Sequence, residues 1–89
     1  MICRETTIVN KLGLHARAAT RLVNCASAFE SEVWISKGEK RVNGKSIMGV
    51  LTLAAGKGTG LMIETDGPDE KLAIDSLLGL IADFFGEGE

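Results

Sequence analysis

The chain has 89 residues, of which 45% are hydrophobic and 25% charged, with a formal net charge of −2. This composition excludes an intrinsically disordered protein, and the length suits one domain spanning residues 1–89. Two cysteines without a secretory leader exclude a disulfide-rich scaffold, so we expect a cytoplasmic location. The longest mostly apolar run, 47–55, is too short to cross a bilayer, and we expect no membrane span.

The first half of the chain predicts a strand, a helix and a hairpin. Residues 2–9 favour a strand, because they are rich in β-branched residues and show no helical period. Residues 32–36 alternate polar and apolar, residues 37–39 form a turn, and residues 40–43 return as the second strand of the hairpin. The intervening amphipathic helix begins near His15, and its apolar positions recur at helical spacing: Ala19, Leu22, Val23, Ala26 and Phe29.

The second half predicts a short helix, a strand and a longer helix. Ser46 stands in the N-cap position of a helix over residues 47–51. The glycine-rich segment 56–60 lacks the spacing of a nucleotide-binding loop and precedes a strand over 60–65, so we interpret it as a turn. Pro68 suits the first position of a last helix that ends near Gly86. The predicted order β-α-β-β-α-β-α corresponds to a two-layer α+β sandwich.

The charge is unevenly distributed along the sequence. Residues 1–57 contain nine Lys and Arg against four acids, whereas residues 58–89 contain one Lys against eight acids. Either both parts are simply solvated, or the basic part attracts an acidic protein partner. Nucleic-acid binding is not indicated, because the sequence pI is about 5.4 and aromatic residues do not alternate with basic ones.

The only histidine, His15, stands where a loop becomes a helix. The unpaired N–H groups and the partial positive charge of a helix start favour an anion there, and they also favour a neutral imidazole whose nitrogen can attack phosphorus. Arg17 adds a forked, charged donor for phosphate oxygens, and Gly13 lets the chain bend before the histidine.

The residues alone leave other roles open for His15. A lone histidine at a helix start can be only a cap or an exposed residue. We expect no metal site, because there is no second histidine and Cys3 and Cys25 lack ligand spacing. We expect no cofactor and no enzymatic activity of its own, because no carboxylate or nucleophile lies nearby in sequence to orient the ring.

Two motifs resemble one known family. The segment 13–19, Gly-Leu-His-Ala-Arg-Ala-Ala, is similar to the active-site motif of HPr, the histidine-containing phosphocarrier of the bacterial phosphotransferase system. The segment 45–50, Lys-Ser-Ile-Met-Gly-Val, is similar to the family's regulatory serine motif. Both motifs stand at the family's mutual spacing, in a chain of the family's length and element order, so the resemblance covers nearly the whole chain.

The resemblance implies a βαββαβα open-faced sandwich, with a four-stranded antiparallel sheet in the order 1-4-2-3 and three helices on one face. It also implies that Nδ1 of His15 takes a phosphoryl group from enzyme I, which phosphoenolpyruvate charges, and passes it to IIA-type proteins. In that scheme Ala16 and Arg17 bind the phosphate. One departure is Ala18, where the family usually has proline; alanine is a good helix former, so we expect phosphate acceptance to survive.

The resemblance further implies a regulatory site and a partner surface. Ser46 becomes a target of HPr kinase/phosphorylase, in addition to its role as a helix cap. The first two helices jointly contact partners in this family, and we expect a monomer with a basic-rimmed apolar surface. A nitrogen-branch paralogue, acting through phosphorylation-dependent binding without sugar transport, stays open as an alternative. The expected partner residues are Leu14, Thr20, Arg21, Lys45, Ile47, Met48, Gly49 and Leu51, together with Ala16 and Arg17.

Overall fold

The computed structural model describes residues 1–86, in which three helices pack on one face of a four-stranded antiparallel sheet. The sheet order is β1-β4-β2-β3, which confirms the α+β sandwich and the 1-4-2-3 order. The helices and strands are β1 (Ile2–Thr7), α1 (Ala16–Ser27), β2 (Glu32–Lys37), β3 (Lys40–Asn43), α2 (Ile47–Leu51), β4 (Gly60–Asp66) and α3 (Glu70–Ala82).

The core lies between the helices and the covered face of the sheet. Alternate residues of the two central strands are buried on this face, because successive side chains of a strand point to opposite sides. Helix α1 buries the stripe predicted from its apolar spacing, and α3 covers β1 and β4. The main strand and helix members of this core are Val33, Ile35, Leu61, Ile63, Leu22, Leu77 and Ile81.

The opposite face of the sheet carries Trp34, which is half-buried. The Arg41 guanidinium lies 4.2 Å from the centroid of the Trp34 ring, a cation–π distance. Arg41 on β3 also pairs with Glu64 on β4, across the intervening strand β2, with 3.3 Å between Nη2 and Oε2. Trp34 is therefore a packing residue of the sheet.

Two predicted element boundaries are wrong near the start of the chain. Strand β1 ends at Thr7 rather than at residue 9, since the Ile8 N–H leaves the ladder and donates to the Thr59 carbonyl at 2.9 Å. Helix α1 ends at Ser27 rather than at Phe29. The N–H of Ala28 and of Phe29 each bond three residues back, which tightens the last turn and stops the helix.

The last helix also differs from its prediction at both ends. It begins at Glu70, so Pro68 precedes the cap residue instead of occupying the first helical position. It ends at Ala82, followed by a 3-10 turn over Phe84–Gly86. Phe84 and Phe85 both have φ of 55°, a left-handed conformation that a right-handed helix excludes. Regular helix therefore stops four residues before the expected end at Gly86.

Asp69 joins α3 to the loop between α1 and β2. It occupies the cap position of α3, but its side chain makes no bond to that helix. Its carboxylate instead accepts from the backbone N–H of Glu30 at 3.0 Å and of Ser31 at 2.9 Å, and from the Ser31 hydroxyl. The Ser31 hydroxyl is the largest cause that holds the pKa of Asp69 below its ordinary value of 3.8.

The lowered pKa makes the stability of the fold pH-dependent. The stabilisation from ionised Asp69 is fully present above its ordinary value of 3.8 and is lost as the pH falls towards its lower folded pKa. We expect Asp69→Asn to lower the urea midpoint at neutral pH and to lessen the acid-induced loss of stability. Asp75→Asn is the control, because Asp75 forms only an exposed pair with Lys71. Identical pH profiles for wild type and Asp69→Asn would contradict this assignment.

Candidate functional site

His15 is the N-cap residue of α1. Its backbone is extended, with φ of −73° and ψ of 176°, and its carbonyl accepts the Ala19 N–H at 2.8 Å. Its ring nitrogen Nδ1 accepts the Arg17 backbone N–H at 3.3 Å, as a cap side chain does for the first turn of a helix. Since a backbone N–H only donates, this Nδ1 bears a lone pair, and the neutral ring carries its proton on Nε2.

The loop before His15 is fixed against the segment that follows α2. Gly13 has φ of 67°, and a Cβ added there would lie 2.5 Å from the Ala55 carbonyl oxygen and 2.7 Å from the Gly56 Cα. The Leu14 N–H donates to the Ala55 carbonyl at 2.8 Å. The glycine is thus required both by its left-handed backbone and by the close approach of a second chain segment.

Asn10 secures the other side of this loop. Its side-chain amide donates to the Gly13 carbonyl at 2.8 Å, and only 1% of the residue is exposed. The Gly13 N–H in turn donates to the Asn10 carbonyl at 3.2 Å. Asparagine commonly bonds to nearby backbone in turns, and this is the sequence signal for the role of Asn10.

Leu14 does not belong to an accessible surface. It is 5% exposed and packs in the core cluster, so its side chain offers little area to a partner. Its apolar side chain is held inside, while its own N–H donates to the Ala55 carbonyl and the preceding Gly13 carbonyl accepts from Asn10. Leu14 therefore anchors the His15 loop to the core.

The two residues after His15 form the exposed start of α1. Ala16 and Arg17 are both exposed, and Ala18, at the third helical position, is fully buried. The Thr20 hydroxyl donates to the Ala16 carbonyl at 2.8 Å. The structure thus places Ala16 and Arg17 beside the His15 ring, in the first turn where helix N–H groups and the dipole favour an anion.

Ser46 is the N-cap of α2. Its hydroxyl accepts the Gly49 N–H at 3.2 Å, which confirms its predicted capping position. The residue is half-buried, and the neighbouring Asn43 side chain accepts the Lys45 N–H at 2.8 Å. The helix is only five residues long, as predicted from sequence.

Several residues of the expected partner surface have exposed side chains. Met48 is 73% exposed and Ile47 39%, an unusual exposure for apolar side chains of one short helix. Gly49 and Leu51 are half-buried, and Thr20 and Arg21 are exposed on α1, which packs against α2.

Two of the expected partner cations are held by the protein's own backbone. Arg21 Nη1 donates to the Phe85 carbonyl at 2.6 Å, and Lys45 Nζ donates to the Phe29 carbonyl at 2.8 Å. These contacts fix the positions of both side chains.

The described part of the chain contains no group of three or more His, Cys, Asp or Glu side chains that could hold a metal ion. Cys3 is exposed and Cys25 half-buried, and burial raises the pKa of the Cys25 thiol. Within residues 1–86, no helix is both long and apolar enough to cross a membrane.

Known proteins are similar to this chain over its whole length, in sequence and in fold. Residues 2–83 match the family model for the PTS HPr component phosphorylation site. The phosphocarrier protein HPr of Cupriavidus necator is 57% identical over 89 residues and covers 100% of both chains. The crystal structure of HPr-C-His from Thermoanaerobacter tengcongensis has a TM-score of 0.95 at 44% identity and covers 98% of each chain.

More distant relatives carry other names. The phosphocarrier protein NPr of Shewanella violacea is 43% identical and covers 94% of this chain and 92% of its own. The catabolite repression protein Crh of Bacillus subtilis, solved as a swapped dimer, is 36% identical with a TM-score of 0.75, covering 93% and 95% of the two chains. Taken with the family-model match and the full-length relative, these findings show that the chain belongs to the HPr family of phosphocarrier proteins.

Proposed function

We propose that this chain is a cytoplasmic, monomeric phosphocarrier: His15 takes a phosphoryl group from enzyme I charged by phosphoenolpyruvate and passes it to a IIA-type protein. The observation that carries the proposal is the position of the His15 Nδ1 atom, which lies at the start of α1 with a lone pair 3.3 Å from the Arg17 amide nitrogen. Membership of the HPr family supports it.

The transfer needs only a ring nitrogen with a free electron pair. Nδ1 forms a bond to phosphorus as the bond between phosphorus and enzyme I breaks, and the Nε2 proton stays on the ring. When the group leaves for the IIA-type protein, the bond between Nδ1 and phosphorus breaks as phosphorus bonds to the acceptor. To reach the phosphorus, the ring turns Nδ1 away from the Arg17 N–H, so the cap bond of 3.3 Å is exchanged for the new covalent bond.

The first turn of α1 then receives the phosphate. Phosphoryl oxygens take the place of Nδ1 as acceptors for the Ala16 and Arg17 backbone N–H groups, where the helix dipole favours negative charge. The Arg17 guanidinium offers a forked donor from the exposed side of the same turn. The protein therefore acts as a carrier that holds the group without catalysing a reaction of its own.

Partners would dock on the surface beside this turn. Met48 and Ile47 supply exposed apolar area, and Met adapts to more than one partner shape. Arg17, Arg21 and Lys45 supply positive charge for acidic groups on enzyme I and IIA-type proteins. Thr20, Gly49 and Leu51 complete the proposed contact area, which Leu14 supports from the core.

Ser46 gives this surface a means of regulation. A phosphate placed on the Ser46 hydroxyl by HPr kinase/phosphorylase would add about two negative charges beside Met48 and the basic residues. An acidic partner surface would then be repelled, so enzyme I would bind less well.

A nitrogen-branch role is the second candidate, and the similarity to the NPr of Shewanella violacea favours keeping it. Such a protein would use the same His15 chemistry but would signal through phosphorylation-dependent binding, without sugar transport. The IIA-type protein that accepts phosphate from His15 distinguishes the two roles.

Incubation with phosphoenolpyruvate and enzyme I tests the carrier function directly. We expect wild type to gain the mass of one phosphoryl group and His15→Ala to gain none, because Ala provides no nucleophile. Intact-protein mass spectrometry measures both. Ala18→Pro is a matched control that keeps His15 and Arg17, and we expect it to accept phosphate at a comparable rate. Equal phosphate gain by wild type and His15→Ala would refute the assignment.

A charge at position 46 tests the regulatory surface. We expect Ser46→Asp to raise the enzyme I concentration for half-maximal phosphorylation of His15 by about tenfold, an interaction loss of about 1.4 kcal/mol. Ser46→Asn keeps a good helix cap without the charge and serves as the control. Equal kinetics for the two variants, or failure of purified HPr kinase/phosphorylase to label Ser46, would contradict the role.

A further inference from the structure

Two lysines of the β2–β3 hairpin bind the chain where it leaves α2. Lys40 Nζ donates to the Thr52 carbonyl at 3.0 Å. Lys37 Nζ donates to the Leu53 carbonyl at 3.0 Å and lies 3.5 Å from the Ala54 carbonyl. Three consecutive carbonyl oxygens at the negative end of a helix therefore face two ammonium groups, an arrangement that the helix dipole favours.

The chain makes an unusual turn at the point that Lys37 holds. Ala54 has φ of 50°, a left-handed conformation that non-glycine residues rarely adopt. The carbonyls of Leu53 and Ala54 approach one ammonium group, so their dipoles converge instead of pointing to separate partners. Lys37 is half-buried, and its charge compensates for this convergence more strongly than an exposed charge would.

Ala55, the next residue after this turn, contacts the loop that precedes His15. The Ala55 carbonyl accepts the Leu14 N–H at 2.8 Å, and Gly13 approaches Ala55 and Gly56 so closely that no Cβ fits between them. Only one peptide unit separates the Lys37 contact at Ala54 from the Leu14 contact at Ala55. A shift of the turn therefore moves Leu14, and with it the cap residue His15.

We propose that Lys37 is a positioning residue for phosphoryl transfer at His15. It fixes the turn at Ala54, the turn fixes Ala55 against Gly13 and Leu14, and that contact sets where the His15 ring stands at the start of α1. The inference rests on the proposed carrier function, but its structural part is independent of any partner. Lys40 binds one carbonyl two residues earlier and is more exposed, so it contributes less.

The alternative for Lys37 is a general contribution to the positive field that attracts partners. Lys57 provides the comparison, because it carries the same charge in the turn that follows Ala55 and makes no hydrogen bond or ion pair with the described residues. A field effect would change the concentration dependence of phosphorylation, and Lys57→Met would share it. A positioning effect changes the maximal rate at saturating protein, and Lys57→Met would not share it.

The test measures His15 phosphorylation by charged enzyme I across a range of concentrations of this protein. We expect Lys37→Met to lower the maximal rate by about tenfold and to leave the half-saturating concentration unchanged, since a misplaced reacting atom costs rate more than binding. Lys37→Arg retains donors for both carbonyls, and we expect it to restore most of the rate. Lys57→Met should match wild type in maximal rate.

Amide hydrogen exchange gives a second readout that needs no partner. We expect Lys37→Met to speed exchange of the Leu14 N–H about tenfold and to leave the β2 amide of Ile35 unchanged, because the effect is local. A wild-type maximal rate and Leu14 exchange in Lys37→Met would overturn the proposal, as would an equal loss of rate in Lys57→Met. If wild type itself accepts no phosphate, the carrier function fails, and the Leu14 measurement alone decides the positioning.

Discussion

The site depends on the contact between two chain segments that are distant in sequence. The Leu14 N–H bonds to the Ala55 carbonyl at 2.8 Å, and Gly13 packs on Gly56 without room for a Cβ. This contact determines where the loop turns into α1, so it determines which residue becomes the cap. Leu14 directs its side chain into the core, and the next residue, His15, is left half-buried at the helix start with its ring on the first turn.

The chemistry follows from that position. A helix start supplies unpaired N–H groups and partial positive charge, and the protein places a ring nitrogen there as a temporary acceptor. In the proposed carrier the ring turns and phosphate oxygens replace this acceptor, so the same first turn serves both states. Ser46 is likewise a cap on α2, where its hydroxyl accepts the Gly49 N–H. The two caps lie on helices that pack together.

The sequence predicted the elements that local patterns determine and missed those that long-range contacts determine. The five-residue α2 was predicted correctly because Ser46 provides a cap immediately before an apolar turn. The burial of Leu14 was not predicted, because nothing in the order Gly-Leu-His shows which side chain turns inward. The end of α3 was misplaced because the left-handed Phe84 and Phe85 break a pattern that still looks helical. The strand order 1-4-2-3 came from resemblance, and the Lys37 contact joins residues 16 apart in sequence.

Nitrogen-15 NMR of His15 before and after phosphorylation identifies the ring nitrogen that takes the phosphoryl group. Before phosphorylation, we expect the neutral ring to have a proton on Nε2 and an unprotonated Nδ1 that accepts the Arg17 amide. After incubation with phosphoenolpyruvate and enzyme I, we expect phosphorus coupling at Nδ1 and a shift of the Arg17 amide signal. A proton on Nδ1 of the neutral ring, or phosphorus coupling at Nε2, would show that Nδ1 is not the phosphate acceptor.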